Sequence, residues 1–307
     1  MKGTIVRSTG SWYDIAGEDG KIYKGRLRGK FKIRDLKVTN PLAVGDLVVF
    51  EFESEQSETV AIQEICPRRN YIIRKSVHKS AHGHLIASNI DQSVLVVTLA
   101  MPRTSPGFVD RFLVSAETFR IPAVLVFNKV DLYDTESKSL LEEFSSIYSD
   151  LGYTCINTST LTGEGVETLR EHLKNKTSLL SGHSGVGKSS LVNLLIPGLE
   201  LATTAISGFA DKGVHTTTFS ERFVMEENSY LIDTPGIKEL GLFEIGDDEL
   251  SHYFPEMRAM LNECKFNDCR HVNEPGCAVI EKVKKGEISL SRYESYLSIL
   301  LGEDNRK

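Results

Sequence analysis

The chain has 307 residues, 40% of them hydrophobic and 25% charged, with a net charge of −6. This suits a soluble globular protein of two or three domains built around at least one sizeable core. No stretch approaches the roughly 20 apolar residues that span a bilayer, and the opening MKGTIVRSTGSWYD lacks a signal-peptide core, so a cytoplasmic protein without membrane contact is expected.

Residues 1–65 read as short strands, among them Gly3–Arg7, Trp12–Ala16, Lys21–Leu27 and Asp46–Phe52, separated by Gly10, Gly17, Gly20 and Gly45. Short strands at this spacing predict a small barrel, and a five-stranded OB-type nucleic-acid-binding barrel fits the length. Residues 1–79 carry 15 Lys+Arg against 10 Asp+Glu, a balance of +5 that leaves −11 for the rest of the chain. A directed contact with a polyanion and a solvated charged face both account for that asymmetry. The candidate phosphate contacts are Arg26, Arg28, Lys30, Lys32, Arg34, Arg68 and Arg69. They would make binding salt-dependent. Trp12 and Tyr13 could stack on bases or fill the barrel core.

Residues 66–92 read as a polar, basic connection. Beyond it strands and helices alternate. Ser93–Ala100 and Ala123–Phe127 are apolar runs of buried-strand type, and Phe108–Phe119 has a helical period between them. Helix Glu136–Leu151, strand Tyr153–Asn157, helix Glu164–Leu173, strand Ser178–Ser181 and a helix from Lys188 follow, then strands near Phe219–Met225 and Tyr230–Ile232. Such alternation predicts a mostly parallel sheet with helices on both faces. After Gly236 it stops, and the tail shows helical patterns, with Ser291-Arg292-Tyr293-Glu294 as a capping box before SYLSILL.

GHSGVGKSS, comprising Gly182, His183, Ser184, Gly185, Val186, Gly187, Lys188, Ser189 and Ser190, fits the phosphate-loop pattern between a strand and a helix. Its glycines let backbone N–H groups face phosphates, and the helix N-terminus adds positive potential. Lys188 reaches the β- and γ-phosphates, and the Ser189 hydroxyl ligates Mg²⁺. LIDTPG follows about fifty residues later, with Asp233 as the acid of the magnesium site and Gly236 as the γ-phosphate sensor. In GVHTTT between them, one threonine completes the magnesium shell. Thr217 is favoured, with Thr216 and Thr218 as alternatives. FNKVDL supplies Asn128, Lys129, Val130 and Asp131. Asp131 would accept from guanine N1 and N2, Asn128 would bond the base and brace the phosphate loop, and the Lys129 stem would lie along the ring. Adenine lacks the donors a buried Asp131 needs, so GTP is expected over ATP. Ser159, in NTSTLTGEG, is the candidate for the guanine oxygen.

Cys264, Cys269, His271 and Cys277 offer three thiolates and an imidazole, a set suited to one closed, structural, tetrahedral Zn²⁺ site. Free cytosolic cysteines are the alternative. Cys66 and Cys155 read as ordinary half-buried residues.

All parts of a guanine-nucleotide site are present, but the base-reading loops precede the phosphate loop. Circular permutation accounts for this order without losing a component. In this order, with PRRN at 67–70, IASNIDQ at 86–92, NKVD, GHSGVGKSS, HTTT, DTPG, the Cys/His cluster and RYESYLSILL, the chain closely resembles the RsgA family of small-ribosomal-subunit biogenesis GTPases. The resemblance implies an α/β protein whose circularly permuted P-loop GTPase domain (67–240) is flanked by an N-terminal OB-type barrel (1–66) and a mostly helical zinc-binding domain (241–307). It implies GTP hydrolysis with Mg²⁺, stimulation by the small subunit, contact with rRNA and action as a monomer late in subunit maturation. Thr160 stands where the family commonly has Ala, and Val214 where Arg is usual.

Many GTPases place Gln after D-x-x-G to orient water, whereas here the residue is Ile237. Slow intrinsic hydrolysis is expected, faster when a partner orders the switch loops. His215 is the candidate for orienting water, and with Lys188 and Thr217 it makes up the catalytic set. The loop after Gly236 runs directly into the Cys/His region, so its order could act on that region. A competing reading is an RNA-binding assembly factor whose nucleotide site is structural.

Overall fold

The computed structural model describes residues 1–28, 40–54, 59–75, 83–201, 220–233 and 245–303, apart from the side chains of residues 74 and 75. His215, Thr216, Thr217, Thr218, Gly236, Ile237, Lys30, Lys32 and Arg34 lie outside the described residues.

Strands β1 (Lys2–Ser8), β2 (Tyr13–Gly17), β3 (Ile22–Leu27), β4 (Leu47–Phe52) and β5 (Thr59–Ile65) run in the order β1-β2-β3-β5-β4, and β4 returns to pair with β1. That closes a five-stranded barrel, which leaves no free edge. Its interior is filled by the alternating residues Ile5, Tyr13, Ile15, Val48, Phe50, Val60 and Ile62. Tyr13 is therefore a core residue, with its hydroxyl donating to Asn40, while Trp12 is exposed.

The connection after the barrel is more ordered than its composition suggests. Strands β6 (Tyr71–Lys75) and β7 (Gly83–Ser88) form an antiparallel pair, which corrects the expectation of a plain polar linker. Ile72, Ile73, Leu85, Ile86 and Ala87 are buried, and Ala87 bridges to Val44. Short apolar runs set among charges give no clean period of two, yet two of them paired bury enough surface to hold.

The central sheet contains β8 (Gln92–Val97), β9 (Ala123–Phe127), β10 (Thr154–Asn157), β11 (Thr177–Ser181), β12 (Glu221–Glu226) and β13 (Ser229–Asp233), in the order β10-β9-β8-β11-β13-β12. All pairs are parallel except β12 with β13. Helices α1 (Pro106–Thr118) and α2 (Thr135–Asp150) cover one face through Phe108, Phe112, Phe144 and Tyr148. Helices α3 (Val166–Leu173) and α4 (Lys188–Leu195) cover the other through Leu169, Leu173, Leu191 and Leu195. With both faces covered, β9 is apolar throughout and β8 is buried throughout and apolar from Val94 on, rather than alternating. The pairing of Arg7 on β1 with Glu221 on β12 joins the barrel to this sheet.

The C-terminal region holds α5 (Pro255–Arg258), α6 (Ala278–Lys285) and α7 (Leu290–Leu300). Its core of Leu250, Phe254, Met257, Val279, Ile288 and Tyr296 includes Val114 from α1, so α1 serves two cores. The expected capping box at Ser291–Glu294 is not the helix start. Ser289 is the N-cap, and Ser291 and Glu294 lie inside the helix. The buried Ile288 anchors the chain just ahead of Ser289, and the helix begins there. Cys66 and Cys155 are half-buried free thiols, as expected. No described helix is long and apolar enough to cross a membrane.

Candidate nucleotide site and metal centre

The loop from Gly182 to Ser189 leaves the C-terminal end of β11 and enters α4 at Lys188. Two glycines are required by space. A Cβ at Gly182 would lie 2.3 Å from the Val96 carbonyl oxygen, and one at Gly187 would lie 2.4 Å from Asn128 Nδ2. Both have positive φ, 143° and 95°. Val186 is fully buried, whereas Ser184 and Gly185 are exposed and His183, Ser189 and Ser190 are half-buried. Lys188 Nζ donates to the carbonyls of Gly182 and His183, both at 2.7 Å. Burial pushes its ammonium below the ordinary lysine range, and the Asp233 carboxylate partly offsets this. Asp233 ends β13 and pairs in register with Leu180 on β11, two residues before Gly182.

The base-reading segment follows β9, the second strand away from β11. Asn128 is fully buried. Its Nδ2 donates to the Val186 carbonyl at 2.8 Å, and its Oδ1 accepts from the Thr158 hydroxyl at 3.0 Å. One amide thus ties three loops together. Val130 N donates to the Thr158 carbonyl at 3.2 Å. The Ser159 hydroxyl donates to Asp131 and accepts from the amides of Leu161 and Thr162. Asp131 is exposed. Lys129 adopts φ 62° and donates to the Met101 carbonyl at 3.0 Å, and burial holds its ammonium below the usual range. The structure therefore brings together Asn128–Asp131, Ser159, Gly182–Ser190 and Asp233, although more than 100 residues separate the first from the last. Sequence reasoning missed Thr158 as the partner that fixes Asn128, and Phe108, whose ring lies 3.7 Å from that of His183.

Among the basic candidates, Arg68 is corrected. Its side chain is only 9% exposed, and it donates to both carboxylate oxygens of Asp46 at 2.6 Å and to the Pro41 carbonyl. A guanidinium with its donors committed in this way is a structural tie, not a phosphate contact. Arg26, Arg28 and Arg69 are exposed and pair with Glu53, Glu51 and Asp91.

The metal-binding candidates Cys264, Cys269, His271 and Cys277 place their ligand atoms within 4.8 Å of one another. Cys264 Sγ lies 3.6 Å from His271 Nδ1 and 3.9 Å from Cys277 Sγ, and His271 Nδ1 lies 3.3 Å from Cys277 Sγ. Tetrahedral Zn²⁺, with bonds of about 2.3 Å to sulfur and 2.0–2.1 Å to nitrogen, spaces its ligands about 3.5–3.8 Å apart. The donor set fits one structural zinc with no open position. Cys277 is the N-cap of α6, and burial pushes its thiol above the ordinary cysteine range. The loop is held from α7, where Tyr296 donates to the Arg270 carbonyl at 2.6 Å and Tyr293 to that of His271 at 2.7 Å.

The model of the RsgA GTPase family matches residues 65–243, and that of the RsgA N-terminal domain matches residues 2–60. The chain belongs to the RsgA GTPase family. It is a GTPase, and its nucleotide is GTP with Mg²⁺. It is 56% identical to the small ribosomal subunit biogenesis GTPase RsgA of Cytophaga hutchinsonii, over all of both chains. The protein of the same name from Bacteroides fragilis is 48% identical, over all of this chain and 98% of that one. Among solved structures, YjeQ from Thermotoga maritima matches with a TM-score of 0.78 at 37% identity, covering 100% of this chain and 99% of that one. YloQ, described as a circularly permuted GTPase, matches with a TM-score of 0.73 at 29% identity, covering 100% and 96%.

Proposed function

We propose that this RsgA-family chain binds the small ribosomal subunit and acts as a GTP-hydrolysing switch in its late maturation, with hydrolysis stimulated by the subunit. The names of its full-length relatives support the substrate particle. The observation that carries the chemistry is the Asn128 amide bonded to the Val186 carbonyl, which joins the base-reading loop to the phosphate loop.

In this reading Asp131 accepts from guanine N1 and N2, the stem of Lys129 lies along the ring, Val130 lines the base pocket and Ser159 holds Asp131 in place. The amides of Gly182–Ser190 and of Gly236 receive the phosphates. Lys188 balances charge on the β- and γ-phosphates. Mg²⁺, bound with GTP, supplies further charge neutralisation there. Ser189, Thr217 and Asp233 would hold it, and His215 would orient water in place of the glutamine that Ile237 replaces. Residues 1–66, 67–240 and 241–307 act as barrel, GTPase and zinc domains. The barrel contacts rRNA, with Trp12 exposed and the Arg26 guanidinium 5.7 Å from its ring as an exposed pair for stacking and phosphate contact. The chain acts as a cytoplasmic monomer.

The test is single-turnover GTP hydrolysis with and without saturating small subunits. The expected result is slow turnover alone and stimulation of at least tenfold by small but not large subunits. Equal rates in both conditions would leave the nucleotide site as a structural prop.

A further inference from the structure

Helix α1 touches the phosphate loop at one end and the zinc region farther along. At its first turn, the Phe108 ring packs 3.7 Å from that of His183, the second residue of the phosphate loop. Two residues on, the fully buried Asp110 accepts from Arg292 Nη1 at 2.6 Å and from the Tyr148 hydroxyl at 2.9 Å. Arg292 is 1% exposed and spends Nε and Nη2 on Glu256, at 2.8 and 3.2 Å. It sits on α7, next to Tyr293, whose hydroxyl bonds the carbonyl of the zinc-ligand candidate His271. Val114 of α1 lies inside the C-terminal core. A line of contacts and helix backbone therefore runs from His183 to Phe108, along α1 to Asp110, across to Arg292, and through the adjoining Tyr293 to His271.

The nucleotide end of this line has a reason to respond. Lys188 has three N–H donors, and two of them go to the carbonyls of Gly182 and His183. Contact with both β- and γ-phosphates takes two donors, so one loop carbonyl must be released. One of the two carbonyls belongs to His183, the residue that packs on α1.

We propose that nucleotide binding and zinc binding are thermodynamically coupled through α1, with Arg292 as a positioning residue that transmits the state of the phosphate loop to the zinc loop. This route differs from the segment after Gly236, which lies outside the described residues. Linkage makes the effect reciprocal: nucleotide changes zinc affinity by the same factor that zinc changes nucleotide affinity.

The experiment uses the full chain. Zinc affinity is measured by competition with a chromogenic chelator, without nucleotide, with GDP and with a non-hydrolysable GTP analogue. GDP affinity is measured on the zinc-loaded and zinc-stripped chain by fluorescence of a labelled GDP. The expected result is a mutual factor of about fivefold or more, equal in both directions. In Arg292→Met that factor falls to within twofold of unity. An arginine that only stabilised the fold would shift each affinity by a fixed factor and leave the mutual factor as in wild type. Should Arg292→Met fail to fold, Phe108→Leu is read in the same way at the other end of α1. A wild-type mutual factor of one, or a wild-type factor retained in the folded variants, overturns the proposal. GDP binding by the zinc-loaded chain reports separately that the pocket works.

Discussion

The barrel and the zinc region both meet the rest of the molecule through a buried arginine, but the two junctions are built differently. At the barrel, Arg68 faces one carboxylate, Asp46, which also accepts from the Ser88 hydroxyl at 2.6 Å and the Ala43 amide at 2.8 Å. Backbone pairing at Arg7 and Glu221 adds a second tie. At the zinc region, Arg292 stands between two carboxylates, Asp110 and Glu256, drawn from segments 182 and 36 residues away. No strand pairing joins that region to the sheet among the described residues. Burial raises the Asp110 carboxyl above its usual range; burial by itself would lower the Arg292 guanidinium, but the two acids outweigh it and hold it well above its own. The contrast is between a carboxylate with several donors and a cation with several carboxylates. The second arrangement is flanked by further ties, since Arg258 pairs with Glu117 of α1 at 2.8 Å and Arg111 of α1 donates to the Ser298 hydroxyl at 3.4 Å.

Removing the cation should expose this difference most strongly. Arg292→Met leaves two buried acids without their cation, Asp110 keeping only neutral donors such as the Tyr148 hydroxyl, and breaking a buried pair in this way costs about 3–5 kcal/mol. Arg68→Met leaves Asp46 with the Ser88 and Ala43 donors, so its cost should be nearer that of one charged hydrogen bond, about 1.5–3 kcal/mol. Chemical denaturation of the zinc-loaded proteins measures both. Equal losses would mean that the supporting donors at Asp46 do not matter and that the two junctions are alike.

The nucleotide site offers a third tie, made differently again. Its loops meet through the neutral amide of Asn128, while the proposed reader of the base, Asp131, is exposed. Asp131→Asn should therefore change specificity without unfolding the chain. The expected change is a shift of about 100-fold from guanosine toward xanthosine diphosphate, since one charged hydrogen bond contributes about 1.5–3 kcal/mol. Competition titration against labelled GDP would read it. An unchanged preference would remove Asp131 from the base pocket.

How far these features were legible in the sequence follows from how local they are. Gly182–Ser190, Asn128–Asp131 and the Cys/His cluster each lie within fourteen consecutive residues, so spacing alone displays the chemistry. The alternation from Ser93 to Ile232 shows the sheet because strands covered on both faces must be apolar throughout. The β6–β7 pair was hidden because Ile72-Ile73 and Leu85-Ile86-Ala87 are short runs set among polar and charged residues, and only pairing makes them a core. Arg68 looked like its exposed neighbour Arg69 because sequence does not reveal which arginine turns inward. The contact between Asp110 and Arg292 spans 182 residues, a separation at which no pattern of period or spacing survives. The Ser289 cap prevailed over the Ser291 box because the buried Ile288 fixes where α7 begins.

The smallest expected effect separates the barrel's outer surface from its junction. Arg26 is 56% exposed and pairs with Glu53 at 2.8 Å, a solvent-screened arrangement that contributes little in water. Arg26→Ala should therefore shift the denaturation midpoint barely at all, in contrast to Arg68→Met. Its effect should fall on RNA instead. If Arg26 contacts a phosphate, binding to a fragment of small-subunit rRNA loses one counterion-releasing contact, and the slope of log affinity against log salt should fall by about 0.7–0.9. The hydrogen bond between Glu53 and Thr59 remains in the variant, which keeps the strand end in place. A lower slope with unchanged stability would make Arg26 an rRNA contact and the Glu53 pair its resting partner. Lost stability with an unchanged slope would instead make Arg26, like Arg68, a residue that holds the barrel together.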